Sequence, residues 1–160
     1  LCLGGGIDLI SACDMRIAST DAKFAIQEVN VAIVADLGTL QRMPYLLPGG
    51  ILKELALTGR YMSAEEAHKY GFMNAVEADR EATLKAAEAM ATEIASKSPL
   101  AVSGTKAILN HARDHTIVDS LDYVATWNSG QLIGEDVMKA GTAILKRQTA
   151  EFDGLSETDD

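Results

Sequence analysis

The chain has 160 residues, 48% hydrophobic and 23% charged, the balance of a globular domain large enough to bury a core of its own. A net charge of −9 argues against the basic stripe that nucleic-acid binding requires, so no nucleic-acid partner is expected. No apolar run reaches the ~18 residues of a membrane span, no signal peptide is expected ahead of the first element, and the terminal Glu-Thr-Asp-Asp is not the peroxisomal Ser-Lys-Leu.

Leu1-Cys2-Leu3 reads as the end of a buried strand, and Gly4-Gly5-Gly6 then permits a tight turn. Ile7, Leu9, Ile10 and Cys13 follow at helical spacing, which places Gly5 and Gly6 at a helix N-terminus. Free N–H groups and the positive end of the helix dipole project there, a natural place for a developing oxyanion. The plainer reading is close helix–strand packing that leaves no room for side chains. The pattern is not the dinucleotide fingerprint G-x-G-x-x-G. Asp8, in the first turn, either complements the dipole or adds a carboxylate to a pocket.

Short strands are predicted at 15–18 and 24–26, with a turn between them. Residues 28–42 carry the most chemistry. Glu28 and Asp36 flank an apolar run, Val31 to Ala35. A carboxylate buried beside such a run loses hydration, and two in one apolar pocket are driven apart in pKa, which yields an acid and a base together. The competing reading makes Glu28 solvated and Asp36 the N-cap of the next helix. Helices are predicted at 39–47, ended by Pro48-Gly49-Gly50, and at 51–57, ended at Gly59. Ser63 and Glu66 have the spacing of a capping box opening a helix over 64–70. Gly71 stops it before a strand at 73–76.

From Asp79 the pattern becomes wholly helical, giving a mixed α/β part to about residue 78 and a helical part after it. Helices are predicted at 80–96, from Ser98-Pro99 onward, at 118–132 and at 136–148, followed by an acidic, frayed end at 151–160. His68, His111 and His115 have no metal-ligand spacing and read as structural or solvated, so no metal is expected. Tyr123 and Trp127, four apart, read as core or subunit-interface residues. Cys2 and Cys13 read as buried small apolar side chains in a reducing compartment.

Cys2-Leu3-Gly4-Gly5-Gly6-Ile7-Asp8-Leu9, Ala12-Cys13-Asp14-Met15-Arg16-Ile17-Ala18 and the stretch from Phe24 to Glu28 together resemble the crotonase (enoyl-CoA hydratase/isomerase) superfamily. Thr58-Gly59-Arg60, Ser63-Ala64-Glu65-Glu66-Ala67, Gly71 and Lys97-Ser98-Pro99 through Lys106 continue the pattern. Ala35-Asp36-Leu37-Gly38-Thr39-Leu40-Gln41-Arg42 resembles the dienoyl-CoA isomerase branch, where hydratases usually have glycine at the place of Asp36. Arg113-Asp114-His115 and Tyr123-Val124-Ala125-Thr126-Trp127-Asn128 look like the same branch.

The resemblance implies an α/β fold: the second half of a crotonase-like ββα spiral core over residues 1–97, then a helical trimerisation region over 98–150 and an acidic tail. It implies isomerisation of 3,5-dienoyl-CoA to 2,4-dienoyl-CoA in fatty-acid β-oxidation, one carboxylate removing a proton at C2 and another delivering one at C6. By the family's layout Glu28 lies beside C2 and Asp36 beside C6, in either polarity, Asp8 tunes the pair, and Gly5 gives one oxyanion N–H. No separate cofactor is implied, because CoA is part of the substrate. The implied partners are the acyl-CoA thioester and further copies of the chain, as a trimer or a dimer of trimers. The implied compartment is the mitochondrial or peroxisomal matrix in a eukaryote and the cytoplasm in a bacterium.

Family members carry a further N-terminal half that supplies the other oxyanion N–H and most CoA contacts, so these residues alone are expected to turn over weakly or not at all. Two alternatives stand beside the isomerase. One is a hydratase in which Asp8 and Glu28 position a water. The other is a catalytically silent oligomerisation module. Lys139, Lys146 and Arg147 could meet the CoA phosphates, but a solvated helix face is the simpler reading.

Overall fold

The computed structural model describes residues 1–154. Strand β1 (Cys2–Leu3) stops at Gly4, whose φ of 49° is left-handed, and helix α1 (Gly5–Ala12) begins at once. Only a residue without Cβ takes that turn cheaply. Strands β2 (Ile17–Ser19) and β3 (Lys23–Ala25) follow, then a 3-10 turn at Glu28–Val31. Helix α2 (Thr39–Arg42) continues into a second 3-10 turn, Met43–Tyr45, and α3 (Gly49–Thr58) comes next. Strand β4 (Met62–Ser63), helix α4 (Ala64–Lys69) and strand β5 (Ala75–Glu77) complete this part.

Two small sheets organise it. β1 runs parallel to β3, and β3 pairs antiparallel with β4, while β2 and β5 form a separate parallel pair. Ile7, Phe24, Ile26, Met43, Leu55, Met62 and Phe72 are buried together. Phe24 and Phe72 meet edge to face with ring centroids 6.0 Å apart. The guanidinium of the buried Arg16 lies over the Phe72 ring, 5.0 Å from its centroid, and donates to the carbonyls of Phe72 and Cys13. A buried cation is tolerable only with its donors satisfied, and backbone carbonyls satisfy these.

The chain divides into two compact units, Leu1–Glu88 and the part from Ala89 on, with α5 (Arg80–Ala95) running across the division. The second unit contains α6 (Pro99–His111), α7 (Ile117–Gln131) and α8 (Glu135–Lys146). Ser98 caps α6 by accepting from the Ala101 N–H, and its hydroxyl donates to Asp136 Oδ2 at the start of α8. Between α6 and α7 the indole of Trp127 lies so near Gly104 that a Cβ there would fall 2.3 Å from Nε1. Trp127 is therefore a packing residue of this unit, as its helical spacing with Tyr123 suggests. Tyr123 and Trp127 pack edge to face.

Several expectations need correction. The predicted single helix over 39–47 breaks at Met43, where Pro44 removes a backbone donor and the chain tightens into 3-10 geometry. β4 is too short to show a period of two, and no strand is predicted there. At Ser63 only half of the capping box forms: Ser63 Oγ accepts from Glu66 N–H, but the Glu66 carboxylate turns to Arg60 in a two-pronged ion pair at 2.6 and 2.9 Å. A complete box forms instead at Thr116 and Asp119. Cys13 is exposed rather than buried, because it is the C-cap of α1; Cys2 is half-buried. Of the frayed end predicted at 151–160, residues 155–160 lie outside the described residues.

The Arg60 bond holds the Glu66 carboxyl below its usual range. A depressed folded pKa contributes stability above the unfolded value of about 4.3, lost as pH falls through the folded one. Glu66→Gln should therefore flatten the acid limb of the melting-temperature profile below about pH 5 and cost no more than about 1 kcal/mol at neutral pH, since the pair is partly exposed. An unchanged acid limb would show the pair to be energetically silent.

Candidate active site

Gly4, Gly5 and Gly6 serve three different purposes. A Cβ on Gly6 would fall 3.0 Å from Cys2 Sγ, so close helix–strand packing excludes a side chain there. A Cβ on Gly4 would meet Glu28 Oε1 at 3.2 Å. Beyond its chain neighbours and its own helix, no described atom lies within 4 Å of where a Cβ on Gly5 would stand. Gly5 is the first residue of α1, so its N–H has no intrahelical acceptor. The turn thus presents a helix N-terminus with a carboxylate beside it.

Glu28 opens the 3-10 turn that follows β3, and the turn is tied down on both sides. Gln27 Nε2 donates to the Gly59 carbonyl at 2.8 Å, Asn30 Nδ2 donates to Gln27 Oε1 at 2.9 Å, and Ile33 N–H donates to the Glu28 carbonyl at 3.1 Å. The Glu28 side chain is half-buried, and its Oε2 is fully buried with no hydrogen-bond partner among the described residues. A buried acceptor without a donor costs about 1–3 kcal/mol, more if charged, so it marks a place where structure gives way to another demand.

Asp8 reaches across to α2. Only 5% exposed, its Oδ1 accepts from Thr39 N–H at 2.9 Å and Thr39 Oγ1 at 2.6 Å. It takes the first free N–H of α2 from a site 31 residues away, where a negative charge also suits the helix dipole. The cap reading of Asp36 fails for the same reason: the N-cap is Gly38, with φ 104° and no side-chain cap bond. Asp8→Asn should therefore lower stability by about 1.5–3 kcal/mol through the lost charged acceptor. A denaturation midpoint close to wild type would return Asp8 to the chemistry.

Asp36 itself is exposed. The run expected to desolvate both carboxylates is exposed too, with Val31 at 67% and Val34 at 72%; only Ala35 of that stretch is buried. No hydrogen bond or ion pair joins Asp36 to Glu28 among the described residues. The greasy cleft around the pair is thus not formed by these residues themselves. The structure brings Gly4, Gly5 and Glu28 together, binds Asp8 to Thr39, and leaves Asp36 on an open loop.

Arg42, which the sequence reading passed over, closes that loop. Its Nη2 donates to the carbonyls of Leu37 at 2.7 Å and Asp8 at 3.0 Å, and Nε donates to Ser11 Oγ at 3.2 Å. In the sequence it stands only as the last residue of the Ala35–Arg42 motif, four after Gly38, with nothing to show what its side chain would bond.

The remaining candidates are structural or solvated. His68 is exposed with Nδ1 on the Met73 carbonyl. His111 and His115 stack with centroids 3.6 Å apart, and Asp114 raises the pKa of His115. Lys139 pairs with Asp153, while Lys146 and Arg147 are exposed. Among the described residues no group of three or more His, Cys, Asp or Glu side chains is arranged to hold a metal ion, and no helix is long and apolar enough to cross a membrane.

The sequence pattern of the Enoyl-CoA hydratase/isomerase family matches residues 1–154. The mitochondrial Delta(3,5)-Delta(2,4)-dienoyl-CoA isomerase of Rattus norvegicus is 45% identical over 92% of this chain and 45% of its own length. The peroxisomal enzyme of the same name from Arabidopsis thaliana is 46% identical over 94% of this chain and 54% of its own. Among solved structures, an enoyl-CoA hydratase from Mycobacterium tuberculosis H37Rv superposes with a TM-score of 0.91 at 33% identity, over 96% of this chain and 60% of that one. The chain spans about half the length of the curated relatives it matches.

Proposed function

The chain belongs to the enoyl-CoA hydratase/isomerase family, and from that premise we propose that the protein shifts the double bonds of a 3,5-dienoyl-CoA to the 2,4 positions. The observation that carries this reading is the buried, unpartnered Oε2 of Glu28 beside the Gly4–Gly5 turn. A carboxylate held without a donor at a helix N-terminus is poised to take a proton from an acyl carbon whose thioester oxygen meets the Gly5 N–H. The similarity to dienoyl-CoA isomerases at 45–46% identity supports the choice of substrate.

In the proposed step Glu28 removes a C2 proton. The C–H electron pair becomes the C2=C3 bond, the C3=C4 pair moves to C4=C5, and the C5=C6 pair takes a proton at C6 from Asp36. The shift passes through a trienolate, in which the C–H pair stands as C1=C2 and the charge lies on the thioester oxygen, where a preorganised N–H is worth most. CoA enters as part of the substrate. Assembly into trimers or a dimer of trimers belongs to the same proposal, supported by the exposed Ile117 and Val118 of α7 and Ile144 and Leu145 of α8. A mitochondrial or peroxisomal matrix is the compartment proposed for a eukaryotic source.

A hydratase would need Asp8 to hold a water with Glu28, and the two bonds from Thr39 to Asp8 Oδ1 weigh against it. The whole protein, given 3,5-dienoyl-CoA and crotonyl-CoA in parallel, should form the conjugated 2,4-diene far faster than it hydrates crotonyl-CoA. Faster hydration would overturn the isomerase. Trimers that turn over neither substrate would leave an oligomerisation module.

A further inference from the structure

Among the described residues the Asp36 side chain makes no hydrogen bond or ion pair, so its place depends on its backbone neighbours. On one side Ala35 is buried. On the other the Leu37 carbonyl accepts from Arg42 Nη2 at 2.7 Å. The same nitrogen donates to the Asp8 carbonyl in α1, and Nε donates to Ser11 Oγ, which itself donates to the Asp8 carbonyl at 2.9 Å. One planar fork therefore ties the loop after Asp36 to the helix that begins at Gly5. A lysine could not reproduce it, having a single nitrogen and no fixed plane. Gly38 makes the arrangement possible, since any Cβ there would stand 2.3 Å from Arg42 Nη1.

We propose that Arg42 is a positioning residue that fixes the span between the thioester-oxygen donor at Gly5 and the proton donor Asp36, and so determines delivery at C6. This rests on the isomerase reading and deepens it. The two half-reactions then depend on Arg42 unequally. Removal of the C2 proton uses Glu28 and the turn at Gly4–Gly5, neither of which Arg42 touches. Delivery at C6 uses the loop that Arg42 anchors. A misplacement of about 1 Å costs on the order of 10²-fold in such a step.

The test uses the whole protein and 3,5-dienoyl-CoA in deuterium oxide. It reads deuterium at C2 of recovered substrate and at C6 of product. Arg42→Gln should lower C6 delivery about tenfold to hundredfold relative to C2 exchange, with little change in KM. Arg42→Lys, which keeps the charge, should fall between Arg42→Gln and wild type and serves if the glutamine variant folds poorly. Thr39→Val frees the start of the helix that carries Arg42 but leaves the Leu37 bond in place, and should lower C6 delivery less than Arg42→Gln does. If Arg42→Gln or Arg42→Lys also lowers both equally, the positioning role is overturned while the isomerase reading stands. If Asp36→Asn leaves C6 delivery intact, Asp36 is not the proton donor and this role falls with it; if the wild-type protein places no deuterium at C6, the isomerase reading itself falls.

Discussion

Glu28→Gln should reduce isomerisation of 3,5-dienoyl-CoA by about 10²–10⁴, the usual contribution of a positioned acid–base group, and abolish deuterium exchange at C2. It should not lower the melting temperature. The reason lies in the orphaned Oε2: the native carboxylate bears a desolvation cost with no donor to offset it, so removing its charge relieves the fold as it disables the chemistry. Residues kept for function at the expense of stability show this opposition. Asp36→Asn should differ by keeping C2 exchange while losing the product. A Glu28→Gln protein that is less stable but still active would reverse the assignment and make Glu28 a structural residue.

Phe72→Ala should destabilise the first unit by about 3–5 kcal/mol, the range for a buried aromatic cut back to alanine. Phe72 has 0% of its surface exposed. Its ring meets Phe24 edge to face and lies under the Arg16 guanidinium, so the truncation leaves a cavity and also strips one face from a buried cation. Leu57→Ala, at a 76% exposed position of the same unit, should shift the same denaturation midpoint by less than about 0.5 kcal/mol. A loss below about 1 kcal/mol for Phe72→Ala would mean the surroundings collapse into the gap.

The elements that sequence reasoning located are those whose causes are local. The Gly4–Gly6 turn, the helices opened by Ser98-Pro99 and Ser63, and the stop at Gly71 each follow from a few adjacent residues. What it missed depends on partners far away in the chain. Hydropathy showed that Val31, Ile33 and Val34 avoid water, but not which surface would cover them, and in these residues nothing does. Spacing offered Asp36 as the cap of α2 because it is near; the cap bond comes instead from Asp8, on another helix. Glu66 had the spacing for a capping box, yet Arg60 offered its carboxylate a stronger charged partner. Of the site, the glycine turn and Glu28 were legible, and the backbone tie through Arg42 was not, because no periodicity encodes a side chain reaching back to carbonyls.

Gly38 and Arg42 behave as a single inherited character. An alanine at 38 would collide with the guanidinium and be strained at its positive φ, so it gains nothing while the arginine remains. Loss of the arginine would release the collision and leave the strain, along with an unanchored loop. The order in which such changes could accumulate is thereby constrained: an alanine at 38 is barred by the collision while the arginine stands, and carries only the strain once it has gone.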